Sequence, residues 1–199
     1  GQVEVDPAVV NLSQFETFYP EKRPFFLEGA TLFDFGSGGS NSTLGFNFGT
    51  PDFFYTRRIG RAPQLSGSGS YDWIDDANET TILGAAKLTG KTEGGWTVAV
   101  MDAVTEKETE TLLLGDTRSE STVEPLTNYF VARLARDLSN RGRIGTIFTA
   151  VNRDIDRDTR LLRSDAYTAG IDGYWAFGNR DVIWEWAVGG TQVEGSEES

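Results

Sequence analysis

Across 199 residues the sequence has no cysteine and no histidine. The first absence excludes a disulfide framework, a thiolate metal site and a cysteine nucleophile. The second removes Ser-His-Asp catalysis, imidazole metal ligands and the usual proton shuttle near neutral pH. Basic residues are also few: 18 Lys and Arg stand against 30 Asp and Glu, a net charge of −12. Nucleic acid wants a basic face, so no nucleic-acid partner is expected. No apolar run approaches the roughly 18 residues of a membrane-spanning helix. No Gly-rich phosphate cradle is present, and no metal or cofactor is expected. The opening Gly1-Gln2-Val3-Glu4-Val5 has no initiator Met and no signal-peptide pattern, and Glu197-Glu198-Ser199 stops just past a strand candidate. We read the chain as an excerpt of a longer one.

What is present divides at about residue 79. Residues 1–79 read as an irregular, aromatic-rich lead-in. It carries Phe15, Phe18, Tyr19, Phe25, Phe26, Phe53, Phe54 and Tyr55, which need something to pack on. Two small-polar stretches, Gly36–Ser42 and Ser66–Ser70, lack the apolar area to offset ordering entropy and read as mobile loops. Residues 80–199 read as six long strands: Thr80–Lys91, Trp96–Thr105, Thr127–Leu138, Arg143–Asn152, Asp165–Phe177 and Val182–Val193. Each shows period-two alternation or a β-rich run. Trp96, Val98 and Val100 share one face of the second strand, and Val182, Trp184, Trp186 and Val188 one face of the sixth. Asp172 and Glu185 fall on opposite faces to the apolar residues of their strands.

The connections alternate. Glu93–Gly95, Ser139–Gly142 and Gly178–Asp181 are tight, while 106–126 and 153–164 are read as long loops. Three hairpins therefore follow one another, with short turns at one end. Strands this long exceed the usual 5–6 residues of soluble sheets and match the roughly 9–11 of a tilted membrane-crossing strand. Trp96, Trp175, Phe177 and Trp184 lie near the short turns, and Tyr129, Phe130 and Tyr167 near the long-loop ends. Two aromatic bands are what two membrane interfaces select. The fold expected is all-β: an antiparallel up-and-down barrel of outer-membrane type, incomplete here because about eight strands are the minimum for closure. A soluble antiparallel barrel or sandwich is the competing reading, and an apolar content of 38% does not separate the two, since a barrel needs one apolar face.

Four constellations could carry chemistry. Tyr19–Gly29 holds Glu21, Lys22, Arg23 and Glu28 between aromatics, with Pro20 and Pro24 stiffening the backbone. It reads as a strap in which Lys22 and Arg23 pair acidic lumen residues, or as a polar ligand's contact surface. Phe53–Arg61 sets Arg57, Arg58 and Arg61 beside aromatics, a combination that binds carboxylates or stacks on rings. Both have a plainer reading as packed connector and solvated strand end. Asp154, Asp156 and Asp158 alternate as in a calcium loop, but Thr159 stands where such loops need Gly and several arginines surround it, so a salt-bridged loop is favoured. Carboxylate pairs such as Asp75 with Asp76, or Glu28 with Asp34, could serve glycoside hydrolysis only by proximity. No catalytic residue is assigned.

Longer motifs carry a resemblance. Val10–Phe15 with Phe18–Gly29, then Phe54–Arg61, Ile82–Lys91 and Asn128–Arg133, resemble the signature of a bacterial family described as domain of unknown function 5916. The resemblance spans about residues 5–175. It implies an outer-membrane β-barrel in a Gram-negative bacterium, its partner the lipid bilayer of the outer membrane. It also implies a carbohydrate-binding module preceding the barrel, outside this chain, through which a saccharide would bind. The expected function is thus binding or passage of a carbohydrate or other polar ligand at the cell outer membrane. The alternatives are a membrane-anchored glycoside-active enzyme and a soluble β-barrel binding module.

Overall fold

The computed structural model of the chain describes residues 19–36, 53–66, 71–75, 77–138 and 141–195. Phe15, Phe18, Asp76, most of both Gly/Ser stretches and the residues 139–140 of one tight turn lie outside the described residues. Nine strands are described: β1 (Trp73–Asp75), β2 (Ile82–Lys91), β3 (Trp96–Thr105), β4 (Glu108–Leu114), β5 (Thr117–Glu124), β6 (Thr127–Leu138), β7 (Gly142–Arg153), β8 (Asp165–Phe177) and β9 (Val182–Glu194). Six form one antiparallel sheet in the order β2-β3-β6-β7-β8-β9, and β1-β4-β5 form a second, small sheet. The fold is all-β. Among the described residues the large sheet is open, with β2 and β9 as its edges, so no closed barrel is formed.

The six long strands match the expected ones to within two residues at each end. The segment 106–126 does not: it is the β4–β5 hairpin, not a loop. Its strands read Glu-Thr-Glu-Thr-Leu-Leu-Leu and Thr-Arg-Ser-Glu-Ser-Thr-Val-Glu, so polar residues fill both faces over most of their length, the leucines run without alternation, and the hairpin hides from a periodicity test. The turn is set by Gly115, at φ 58°, a left-handed conformation that glycine adopts without steric cost. Among the described residues the lead-in is irregular apart from β1, a short helix α1 (Pro24–Leu27) and two 3-10 turns, Ala30–Phe33 and Thr56–Arg58.

The large sheet has two different faces. On β3, Thr97, Ala99, Met101, Ala103 and Thr105 are buried, while Trp96 and Asp102 between them are exposed. On β6, Tyr129, Val131, Arg133 and Ala135 are buried and Leu134 and Arg136 exposed. The covering layer is the lead-in. Phe26, Phe33, Phe35 and Ile59 pack on Ala99, Met101, Ala103, Tyr129, Val131 and Ile147 in one core. The wall makes room with small residues. A Cβ at Gly170 would lie 2.6–2.7 Å from the rings of Phe35 and Phe53, which stack at 4.6 Å over it. Tyr129 belongs to this inner core, against the expectation that it joins an outer aromatic band. The odd–even register of β6 decides the point: Phe130 faces out and Tyr129 in.

Candidate functional site

The two aromatic-basic motifs of the lead-in come together into one cluster. Pro24 at the start of α1 fixes the backbone just after Arg23 and turns that side chain back toward Glu21. Arg23 donates through Nε to Glu21 Oε1 at 2.8 Å and through NH2 to Oε2 at 2.7 Å. It also donates to the carbonyls of Ile59 at 2.7 Å and Thr56 at 3.0 Å, and its guanidinium lies 4.0 Å from the Phe26 ring centroid. Thr56 Oγ1 donates to Glu21 Oε2 at 2.6 Å. Arg57, also buried, donates to the Pro20 carbonyl at 2.9 Å. Tyr55 Oη donates to the Tyr19 carbonyl and accepts from the Tyr19 amide. Arg23 therefore pairs with Glu21 of its own segment, not with an acidic residue of the wall. The two residues are only two positions apart in extended backbone, so the carboxylate is at hand within the segment. The cluster is a clasp joining the two lead-in motifs.

Burial alone would raise the Glu21 carboxyl, but the hydrogen bonds from Arg23 and Thr56 and the Arg23 charge outweigh it and bring its pKa down to about 2. A carboxyl depressed in the folded state stabilises it fully above its ordinary value of 4.5, and loses that contribution as pH falls toward about 2. Glu21→Gln is expected to unfold more readily than the parent at pH 7. Denaturant unfolding followed down the pH scale is expected to show the gap closing across that window. A gap that stays constant to the bottom of it would contradict the charged clasp.

The remaining sequence candidates separate. Glu28 and Arg58 are exposed, and Lys22 and Arg61 are half-buried. What ties the strap to the wall is Lys87 of β2, which donates to the carbonyls of Phe25 and Glu28. A second tie was not foreseen as a site. Arg133 of β6 reaches across β7 and donates to Asp172 of β8, with NH2 to Oδ2 at 2.7 Å and both side chains buried. Asp172 also accepts from the Gly36 amide of the lead-in at 2.9 Å. The crossing is possible because Gly145 of β7 has no side chain; a Cβ there would lie 2.7–2.8 Å from the guanidinium. The signal in the sequence was a charge between Val131 and Ala135 on an inward column.

Among the cavities between lead-in and wall, two carry several charged or polar side chains. One of about 210 Å³ is lined by Glu21, Phe26, Tyr55, Lys87 and Met101 among others. The other, about 310 Å³ and more polar, is lined by Asp34, Arg133, Arg143, Asp172, Tyr174 and Glu185 among others. Donors of both kinds beside acids and a phenol suit a polar, oxygen-rich molecule. The aspartate loop after β7 is held by its own protein partners. Asp156 accepts from Lys107 Nζ at 2.6 Å, Thr122 Oγ1 at 2.9 Å and the Thr159 amide at 3.1 Å. The Lys107 hydrogen bond is the first cause of a carboxyl held well below the usual range, and Asp156 raises Lys107 in return. Among the described residues no group of three or more acids is placed to hold a metal ion. Asp75 is exposed in β1, and its neighbour Asp76 lies outside the described residues.

Similarity to known proteins decides the family. The model of a domain of unknown function, DUF5916, matches residues 1–160. The chain belongs to the DUF5916 family. That match covers the clasp, the lead-in core and the first wall strands through most of the loop after β7, while Asp172, Tyr174 and Glu185 lie beyond it. No curated protein and no solved structure matches the chain.

Proposed function

We propose that this DUF5916 chain forms part of the wall of an integral outer-membrane β-barrel, with its lead-in docked against the inner face, and serves the binding or passage of a polar ligand. One observation carries the reading: the apolar face of the large sheet is the uncovered one. Trp96, Leu134, Ile144, Phe148, Ile171, Trp175, Trp184 and Val188 are all exposed. The face with Thr, Gly, Arg and Asp is the one packed against protein. A soluble sheet buries its apolar face; a barrel in lipid does the reverse.

The band has polar limits. At the long-loop end the outward side chains form a hydrogen-bonded rung. Asn128 donates to Asp102 at 2.9 Å, and Asn152 to Asp165 at 2.7 Å and to Tyr167 Oη at 2.8 Å. At the short-turn end Trp96, Trp175, Phe177 and Trp184 form a belt. From Asn128 to Arg136 the strand rises about 27 Å at ~3.4 Å per residue, or about 20 Å along the membrane normal at a ~40° tilt. That is close to the ~25 Å apolar band of such barrels. The polar cavities on the inner face supply the ligand surface, and a saccharide fits their mix of donors, acceptors and an aromatic ring.

The test is made on the intact protein. It is expected in the outer-membrane fraction, with a gel mobility that changes when the detergent sample is boiled. A protein recovered in the soluble fraction with unchanged mobility would favour a soluble binding module and turn the outward aromatics into an interface with other protein.

A further inference from the structure

We propose that Arg136, laid over Trp96 at the short-turn edge of the apolar band, docks the phosphate of a phospholipid headgroup. The proposal rests on the membrane reading and adds a specific lipid contact to it. Trp96 and Arg136 are directly opposed in the β3–β6 register, and the guanidinium carbon lies 5.0 Å from the indole centroid. Both are exposed, and the next residue across, Ile144 of β7, is exposed and apolar.

Among the described residues the cation has no protein acceptor. Arg23, Arg133 and Arg153 each donate to a carbonyl or carboxylate. Arg136 has only the indole. Asp137, its neighbour in sequence, points to the other face, where it lies 3.8 Å from Arg143. Among the described residues Arg136 is also the one charge on the outward face below the polar rung. A guanidinium against an apolar surface is costly without an anion. Here it stands at the edge of the band, at the depth where headgroup phosphates begin. Stacking on Trp96 uses the flat face of the guanidinium and leaves its N–H edge free for the bidentate geometry that phosphate accepts. Acyl chains below the phosphate would lie on Leu134 and Ile171, one outward pair further from the short turns, while Trp175 lies one pair nearer them. Trp175 itself lies over β7 at Gly142, where a Cβ would meet the ring at 2.5 Å.

The experiment uses the intact protein in detergent, stripped of lipid and titrated with phosphatidylglycerol, with retained lipid counted by native mass spectrometry. Arg136→Gln is expected to bind it about fivefold more weakly, the weight of one basic residue at an anionic lipid surface, and Arg136→Lys to fall between. Diacylglycerol with the same chains is expected not to be retained. Equal retention by parent and Arg136→Gln would overturn the site. So would displacement of the lipid by inorganic phosphate alone, which would make this a free-anion site. Tryptophan quenching by brominated acyl chains, measured on both proteins, separates the two claims. Quenching in both with no effect of Arg136→Gln removes only the docking site; no quenching in either removes the membrane reading and the site with it.

Discussion

Replacing Arg133 with methionine is expected to destabilise the folded protein by about 3–5 kcal/mol, the cost of stranding a buried charge by removing its partner. Asp172 would be left 5% exposed, with the Gly36 amide as its remaining hydrogen-bond donor among the described residues. The double replacement of Arg133 by Met and Asp172 by Leu is expected to recover most of that loss, because two apolar side chains need no desolvation of charge. Gly145→Val tests the same contact from below. Its side chain would occupy the space of the guanidinium and push Arg133 off Asp172. Urea unfolding of the intact protein in detergent micelles measures all three. A single Arg133→Met variant within about 1 kcal/mol of the parent would show that the pair is solvated and not the link between β6, β8 and the lead-in. One further consequence follows from the Gly36 bond. Loss of the pair is expected to loosen the lead-in as well as the wall, so protease cleavage near residue 36 would rise.

The adjacent residue faces the other way and answers a different question. Leu134→Arg is expected to cost about 1–2 kcal/mol when the protein is folded in a bilayer, because the penalty for arginine on the lipid face of a barrel is ~2–4 kcal/mol at the midplane and ~0–1 at the interfaces, and Leu134 lies between the two depths. Leu134 is 42% exposed and lies between the Asn128 rung and Arg136. If that face met water, the same change would fall within about 0.5 kcal/mol, as surface substitutions usually do. Unfolding from phospholipid vesicles, compared with the parent, separates the outcomes. A neutral Leu134→Arg would place the face in water or against polar protein.

Much of the wall was legible because its signal is local. Period-two alternation located β2, β3 and β6 through β9, and Gly and Asn marked the turns between them. The β4–β5 hairpin escaped because most of its residues are Thr, Ser and Glu on both faces and its three leucines are consecutive, so no period-two hydrophobic signal exists to detect. Tyr129 was placed on the wrong side because position near a strand end was used where register was needed. The clasp was half legible. Both of its motifs stood out by composition, and nothing local could show that Arg23 would turn back to Glu21 and across to Thr56 and Ile59. The Arg133–Asp172 pair was the least accessible, since it joins residues 39 apart across an intervening strand. Only the fold brings Gly145 beneath the guanidinium. Arg136 differs again: its reading depends on the fold, which among the described residues leaves no acid on the outward face next to it.

In the proposed barrel, even-numbered residues of β6 face lipid and odd-numbered ones face the docked lead-in. The absence of cysteine makes this stretch suited to single-cysteine scanning, with any cysteines elsewhere in the intact protein removed. A fluorophore placed in turn at positions 130 to 135 of the protein in vesicles would be challenged with brominated lipids. The account requires quenching at 130, 132 and 134 and protection at 131, 133 and 135. Labelling of the even positions by a water-soluble thiol reagent, with no quenching by brominated chains, would contradict it.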